Sequence, residues 1–303
     1  MLGSLEDAQD AVQETLLRAW RKRALYQGRS TFRAWLYGIA TNCCLDVLDR
    51  RSRRVLPPDV GPAADPFADP FPVTDIAWLE PYPDHLLDEL VDGDAGPFDK
   101  IAARETIELV FLAAIQHLPA RQRAVLILRD VLRWSARETS EMLGMSVIAS
   151  NSAVQRAREA LKHYLPERRL EWPGNPVAQS AERLLLERYM QAWTHTDVDG
   201  LVALLKEDAR LAMPPMAAWF AGRQAIGDFL SRQPLAPTAP RFIHVPTRAN
   251  RQPAFAVFLP GEGYGSPQPY AVTVLRIEDG LIAEIDIFRE PRLVAAFGVV
   301  PPA

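Results

Sequence analysis

Residues 56–99 hold eleven acidic residues and not one lysine or arginine, and proline, aspartate and glycine dominate the stretch. Such a segment repels itself and resists regular structure, so it divides the chain instead of merging its two sides into one core. Both flanks are basic: residues 1–55 carry 10 basic and 6 acidic side chains, and residues 100–170 carry 12 and 7. Two basic modules joined by an acidic bridge have the charge pattern of a nucleic-acid-binding protein, which the overall net charge of −4 conceals. At 303 residues there is room for two or three domains, and a 48% hydrophobic composition excludes disorder throughout. No run approaches the roughly 18 apolar residues of a membrane span, and the N-terminus lacks a basic-then-apolar signal pattern. Cys43 and Cys44 are adjacent, too close for an ordinary disulfide and without metal-ligand spacing, so both read as small fillers of a buried helix in a cytoplasmic protein.

The first block, 1–55, reads as all-helical. Ser4 followed by Asp7 is a capping start. Leu5, Ala8, Val12, Leu16, Ala19 and Trp20 recur at spacings of three and four, which predicts one apolar face opposite Asp7, Asp10, Gln13 and Glu14. A second helix from about Ser30 carries Phe32, Trp35, Leu36, Ile39, Ala40, Cys43 and Val47 and ends in Arg50, Arg51, Arg53 and Arg54 before Pro57. Two helices make little core, so further helices upstream of Met1 are expected. Within the acidic bridge, Trp78-Leu79-Glu80-Pro81-Tyr82-Pro83-Asp84 is too rich in large apolar groups for a free linker, and predicts docking onto another domain.

The third block, 100–170, is helical again. Ser135 and Glu138 make a capping box, Gly144 suits a left-handed C-cap, and Ser146 caps a longer helix carrying Val147, Ile148, Val154, Ala157 and Leu161. A short helix, a glycine turn and a longer polar helix form a helix-turn-helix pattern. Pro173 to Pro176 mark a boundary, after which helices near 180–194 and around Ile226 precede alternating segments at 253–259, 269–277 and 281–289. Glu278-Asp279-Gly280 reads as a tight hairpin turn, so residues 175–303 are expected to form a separate α+β domain.

The strings Glu6 to Thr15 and Phe32 to Asn42 resemble domain 2 of extracytoplasmic-function (group IV) RNA polymerase sigma factors. Leu118 to Arg123 and Arg156 to Leu161 resemble their domain 4, and residues 177–303 resemble the SnoaL-like cone fold. With the Trp78-Leu79-Glu80-Pro81 motif between them, the combination is similar to the sigma-G and sigma-J type. The implied fold is multidomain: two all-α sigma domains, the second a helix-turn-helix, followed by an α+β SnoaL-like domain. Asn151 and Ala153 depart from the family, which is often basic there.

The resemblance implies an alternative sigma factor whose partners are the beta and beta-prime subunits of polymerase core, and promoter DNA, with no membrane, metal or cofactor. It implies polymerase contacts at Asp7, Asp10, Gln13 and Glu14, where carboxylates can meet arginines. It implies −10 contacts at Tyr37, Asn42, Arg50, Arg51, Arg53 and Arg54, because an extruded base needs stacking and an edge reader. It implies −35 contacts at Ser150, Asn151, Ser152, Gln155, Arg156 and Arg158, with an internal ion pair from Arg158 to Glu138 or Glu141 as the alternative. Trp78, Leu79, Pro81 and Tyr82 are the docking residues, through which the C-terminal domain is expected to pack on the sigma domains and modulate them in cis. Trp193, His195, His244, Tyr270 and Asp286 are candidates for lining a cavity that takes a small ligand, with Tyr264 as a further candidate and Asp197 and Asp199 better explained as caps. No acid–base pair is evident in the spacing, so no catalytic residue is assigned. Two other readings stay open: a SnoaL-like small-molecule enzyme with a helical appendage, and a helix-turn-helix regulator acting without polymerase.

Overall fold

The structure, a computed structural model, describes residues 1–28, 31–88, 108–162, 176–261 and 265–301. The chain divides into two compact units. Met1–Arg54 with Gly96–Glu171 make the first, and Val55–Ala95 with Trp172–Ala303 make the second.

The first unit is helical among its described residues. Helix α1 (Leu5–Lys22) starts at Ser4, whose hydroxyl accepts from the Asp7 backbone N–H, and α2 (Phe32–Leu48) is capped by Thr31. The predicted apolar face of α1 is corrected. The buried positions are Leu5, Asp7, Ala11, Thr15 and Ala19, while Val12, Leu16 and Trp20 are 59%, 56% and 67% exposed. The reason is that α2 and the basic segment after it cover the Asp7–Ala11 side, where arginines satisfy the carboxylate. Helices α4 (Leu109–Gln116) and α5 (Ala120–Leu126) follow, running into one π-helical turn over Ile127–Val131. Helix α6 (Ala136–Leu143) carries the full Ser135–Glu138 capping box and ends on Gly144, whose φ of +61° is the left-handed conformation that glycine adopts freely. Ser146 caps α7 (Val147–Lys162), whose Val154, Ala157 and Leu161 are buried.

The second unit contains more than the C-terminal third of the sequence. Helices α8 (Pro176–His195), α9 (Val198–Ala203) and α10 (Arg223–Arg232) accompany six strands: β1 (Leu205–Ala212), β2 (Trp219–Ala221), β3 (Ile243–Ala249), β4 (Gln252–Leu259), β5 (Gln268–Glu278) and β6 (Leu281–Phe288). They form one sheet in the order β2-β1-β6-β5-β4-β3, with β1 and β6 parallel and the other pairs antiparallel. The β5–β6 turn has Asp279 and Gly280 both at positive φ, the two-residue hairpin geometry that matches sheet twist. A core around Tyr189, Leu211, Phe220, Phe229, Phe255 and Ile285 lies on one face of the sheet, and α11 (Pro291–Ala296) contacts β5.

Residues 55–88 are built into this unit. Val55 bridges Trp78, Pro72 bridges Met216 and Pro83 bridges Ala249. The Trp219 indole N–H donates to the Gly61 carbonyl at 2.9 Å, and the Val73 N–H donates to the Pro215 carbonyl at 2.9 Å. Leu79 is fully buried, and the buried Glu80 carboxylate accepts from Arg292 at 2.6 Å. Asp84 opens the short helix α3 (Asp84–Asp88), and its carboxylate accepts from the Arg251 backbone N–H at 2.7 Å. The acidic bridge is therefore not a solvated tether over this length. Two of its acidic side chains, Glu80 and Asp84, meet arginines of the C-terminal domain.

Candidate nucleic-acid interface and cavity

The first of the sequence-predicted surfaces is α1. Asp10 and Gln13 are exposed and Glu14 is half-buried, bonded to Arg18, which also reaches Asp46 at 2.7 Å. Asp7 departs from the expectation. It is 5% exposed, and its two oxygens accept from Arg51 and, at 2.6 Å, from Arg54. A carboxylate so enclosed is a structural counter-ion and not a surface for a partner. The same pairing holds Arg54, and partly Arg51, away from a phosphate-tracking role.

The remaining −10 candidates are dispersed along α2 and its end. Asn42 is exposed and its amide donates to the Gly38 carbonyl. Arg50 is exposed, and Arg53 lies 2.8 Å from a His117 ring nitrogen. Tyr37 is half-buried, with its ring 5.5 Å from the Trp134 ring and the Arg33 guanidinium 5.6 Å from its centroid. Trp35 packs between Tyr26 and Phe32 and belongs to an aromatic cluster at the start of α2.

On α7, helical periodicity sorts the −35 candidates. Asn151, Gln155 and Arg156 are exposed and Ser152 is half-buried. Ser150 is a correction: it is fully buried, on the side of the helix that faces α5 and α6 with Ala153, Val154 and Ala157. Arg158 is a second correction, since its guanidinium makes two bonds to Asp130 at 2.7 and 3.0 Å, and not to Glu138 or Glu141. Ile148 is a third. It reads as core in the sequence, but it is 79% exposed on the first turn of α7, one turn before Asn151 and Ser152. A large apolar side chain held in water beside polar base-reading candidates is a signal that only the folded helix reveals.

In the second unit, a cavity of about 340 Å³ opens between the sheet face and α8 and α10. Trp193, His244 and Tyr270 line it, as the sequence suggests. His195 does not. It ends α8 exposed, with Nδ1 2.8 Å from the Gln191 carbonyl oxygen. Asp286 does not either, because strand alternation sends Ile285 and Ile287 to the cavity side of β6 and Asp286 to the other, beside Glu284, Arg276 and Arg210. Burial, and then the neighbouring Glu284 charge, push the Asp286 carboxyl well above the usual range. Asp197 caps α9 by accepting from the Gly200 N–H, and Tyr264 lies outside the described residues. Sequence reasoning missed Thr273, Arg289 and Gln233 as further polar cavity residues.

His244 packs 4.7 Å from the Trp193 ring, and burial lowers its imidazole to about 4, so it is neutral at pH 7. Among the described residues no carboxylate lines the cavity, which leaves the imidazole without an acidic partner. No group of three or more potential metal-ligating side chains occurs among the described residues.

Comparison with known proteins fixes the family. Residues 1–54 match the Sigma-70 region 2 family, residues 108–161 match Sigma-70, region 4, and residues 186–285 match the SnoaL-like domain. The ECF RNA polymerase sigma factor SigG of Mycobacterium tuberculosis is 40% identical over 303 residues, covering 99% of this chain and 79% of that one. The chain belongs to the ECF RNA polymerase sigma factors. Similarity to the RNA polymerase sigma-H factor of Pseudomonas aeruginosa is confined to 52% of this sigma factor, at 31% identity and 72% coverage of that protein. The crystal structure of the extracytoplasmic function sigma factor SigJ of Mycobacterium tuberculosis superposes with a TM-score of 0.60 at 18% identity. It covers 97% of this sigma factor and 91% of that chain, which shows a shared multidomain fold. No described helix of this sigma factor is long and apolar enough to cross a membrane.

Proposed function

We propose that this sigma factor acts in the cytoplasm, delivering polymerase core to a defined promoter set, and that its C-terminal domain modulates it in cis through the linker. The observation that carries the second part is the fold of residues 55–88, which connect region 2 to region 4 in sequence yet pack as part of the C-terminal domain. Whatever changes that docking changes the chain between the two promoter-reading regions. Tyr82 holds the linker on its own C-terminal domain through Asn250, while Trp78 and the buried Leu79 close the linker on itself at Val55 and Val73. In this reading the control passes through the linker and requires no direct contact of that domain with the sigma regions.

Of the four candidates on α1, Asp10, Gln13 and Glu14 are left to engage the beta and beta-prime subunits. Tyr37, Asn42, Arg50 and Arg53 serve the −10 element, with Tyr37 and Arg53 first leaving Trp134 and His117. Ile148, Asn151, Ser152, Gln155 and Arg156 serve the −35 element, where polar groups read base edges and an exposed methyl-bearing chain suits a thymine methyl. The C-terminal domain binds without turning over, because a neutral histidine with no carboxylate beside it among the described residues is a poor general base at pH 7.

The test is transcription in vitro with purified core polymerase and a pool of genomic promoters. The full chain is compared with Asn250→Ala, which loosens the linker, and with a chain ending at Gly174. New start sites that require the added protein support the promoter role, and altered output from the two variants supports control in cis. Equal output from all three would refute control in cis. Failure of every chain to bind core or initiate would refute the promoter role.

A further inference from the structure

The cavity has an apolar body and one cationic end. Trp193 and Phe242 meet edge to face with centroids 6.2 Å apart, Phe242 lies 5.1 Å from Tyr270, and Val257, Leu259 and Ile287 complete the walls. Its volume of about 340 Å³ is at the small end of the range of about 300–1,000 Å³ found for ligand sites. A site walled by rings favours a flat molecule, which can stack or meet edges on several sides.

The cationic end is Arg289. Its guanidinium sits 5.1 Å from the Tyr270 ring centroid and donates to Met216 Sδ at 3.3 Å, a weak acceptor. Among the described residues no carboxylate pairs with it, whereas Arg276, Arg248 and Arg292 of the same unit are each paired with one or more acidic groups. A half-buried guanidinium whose neighbours are the Tyr270 hydroxyl and a thioether, and not a carboxylate, is a ready receptor for a carboxylate, which it can grip with two parallel bonds. His244 is neutral and adds no charge, while Thr273 offers a hydroxyl within the same cavity.

One wall comes from the linker. Pro70 lines the cavity, and beside it Asp69 accepts from the Gln233 amide, itself a cavity residue, at 2.8 Å. Next along both segments, the Arg232 guanidinium lies 5.2 Å from the Phe67 ring centroid. A molecule filling the cavity therefore touches the segment that joins the two sigma regions.

We propose that the cavity binds a flat apolar monocarboxylate, with its carboxylate on Arg289 and its ring system among Trp193, Phe242 and Tyr270. Bound ligand tightens the linker over Pro70 and the Asp69–Gln233 bond. The linker half of this inference gives the cis control proposed above an input, but its test contains no polymerase, so the two readings fail separately.

The probe is 2-naphthoate, titrated calorimetrically into the full chain, with the uncharged 2-naphthamide as its isostere. Saturable binding of the acid is expected, weakened at least about tenfold by Arg289→Gln, with the amide changed less than about threefold. Circular dichroism and the melting temperature establish that the variant is folded, and Arg289→Lys should recover part of the affinity because it keeps the charge without the fork. Amide hydrogen exchange should slow over residues 61–73 when 2-naphthoate is bound. No saturable binding up to about 5 mM, or equal losses for acid and amide, would overturn the site. Binding without any change in exchange over 61–73 would overturn the coupling to the linker.

Discussion

Asn250 and Tyr82 exchange two hydrogen bonds. The Asn250 backbone N–H donates to the Tyr82 carbonyl, and the Tyr82 N–H donates to Asn250 Oδ1, both at 2.9 Å. Asn250 is fully buried and has a φ of +56°, in the left-handed region that asparagine tolerates better than most residues. One residue thus turns the β3–β4 hairpin and clasps the linker. Asn250→Ala should lose about 2–4 kcal/mol, combining an unmet buried donor with a left-handed alanine. Asn250→Gly, relieved of the backbone cost, should lose about 1–3 kcal/mol. Urea unfolding measures both, and limited proteolysis should cut sooner between residues 61 and 88 in each variant.

The ion pair of Asp7 with Arg51 and Arg54 predicts a separation of stability from polymerase binding on α1. Asp7→Asn leaves the largely buried Arg54 guanidinium uncompensated and should cost about 2–4 kcal/mol. Asp10→Asn, at an exposed position, should change stability by less than about 0.5 kcal/mol while weakening the affinity for core. Denaturant melts and a core-binding titration on both variants check this. A stable Asp7→Asn protein with lost core binding would return Asp7 to the interface.

Ile148 carries a prediction of opposite kind. Its side chain is 79% exposed, so Ile148→Ala should leave unfolding within about 0.5 kcal/mol of the parent. Promoter binding in the presence of core should fall several-fold, by about 1 kcal/mol, if the residue meets a thymine methyl. Substituting the thymines of the −35 element one at a time should remove the difference between the two proteins at a single position.

His244 predicts a pH dependence. Burial holds its imidazole at about 4, against about 6.5 for an unfolded histidine, so between these values the unfolded chain binds more protons than the folded one. Stability from this residue is complete above the unfolded value and is lost as pH falls toward 4. The loss is about 2–3 kcal/mol across that window. His244→Phe should flatten this part of the stability curve, read from urea midpoints between pH 4.5 and 7.5, about the window concerned.

Local chemistry was what the sequence displayed best. Ser135 with Glu138, Gly144, Asp197 and the Asp279-Gly280 turn each act on neighbours within a few residues, and each stands where the pattern placed it. Burial decided by distant partners was hidden. Asp7 looks like a solvent-facing carboxylate until Arg51 and Arg54, more than forty residues away, fold over it. Strand β1 was also missed, because it begins one residue after the α9 C-cap at Leu204 with no turn residue to announce it. The facing of Asp286 was obscured by the irregularity at Arg276–Ile277, which puts Ile282 in the same core as Ile285 and so breaks simple alternation. In the cavity, Trp193, His244 and Tyr270 were legible as large polar-tipped groups, whereas Arg289 was one arginine among many until the fold placed it in the cavity wall.

The placement of residues 55–88 also sets a length. Between residue 54, where region 2 ends, and residue 108, where region 4 begins, a fully extended chain spans at most about 180 Å. With residues 55–88 held on the C-terminal domain, the remainder up to residue 107 contributes at most about 65 Å, whatever its conformation. Docking therefore works as a ruler. It limits the length of chain left between residue 88 and region 4, and release of the clasp at Asn250 lets out the rest of the tape.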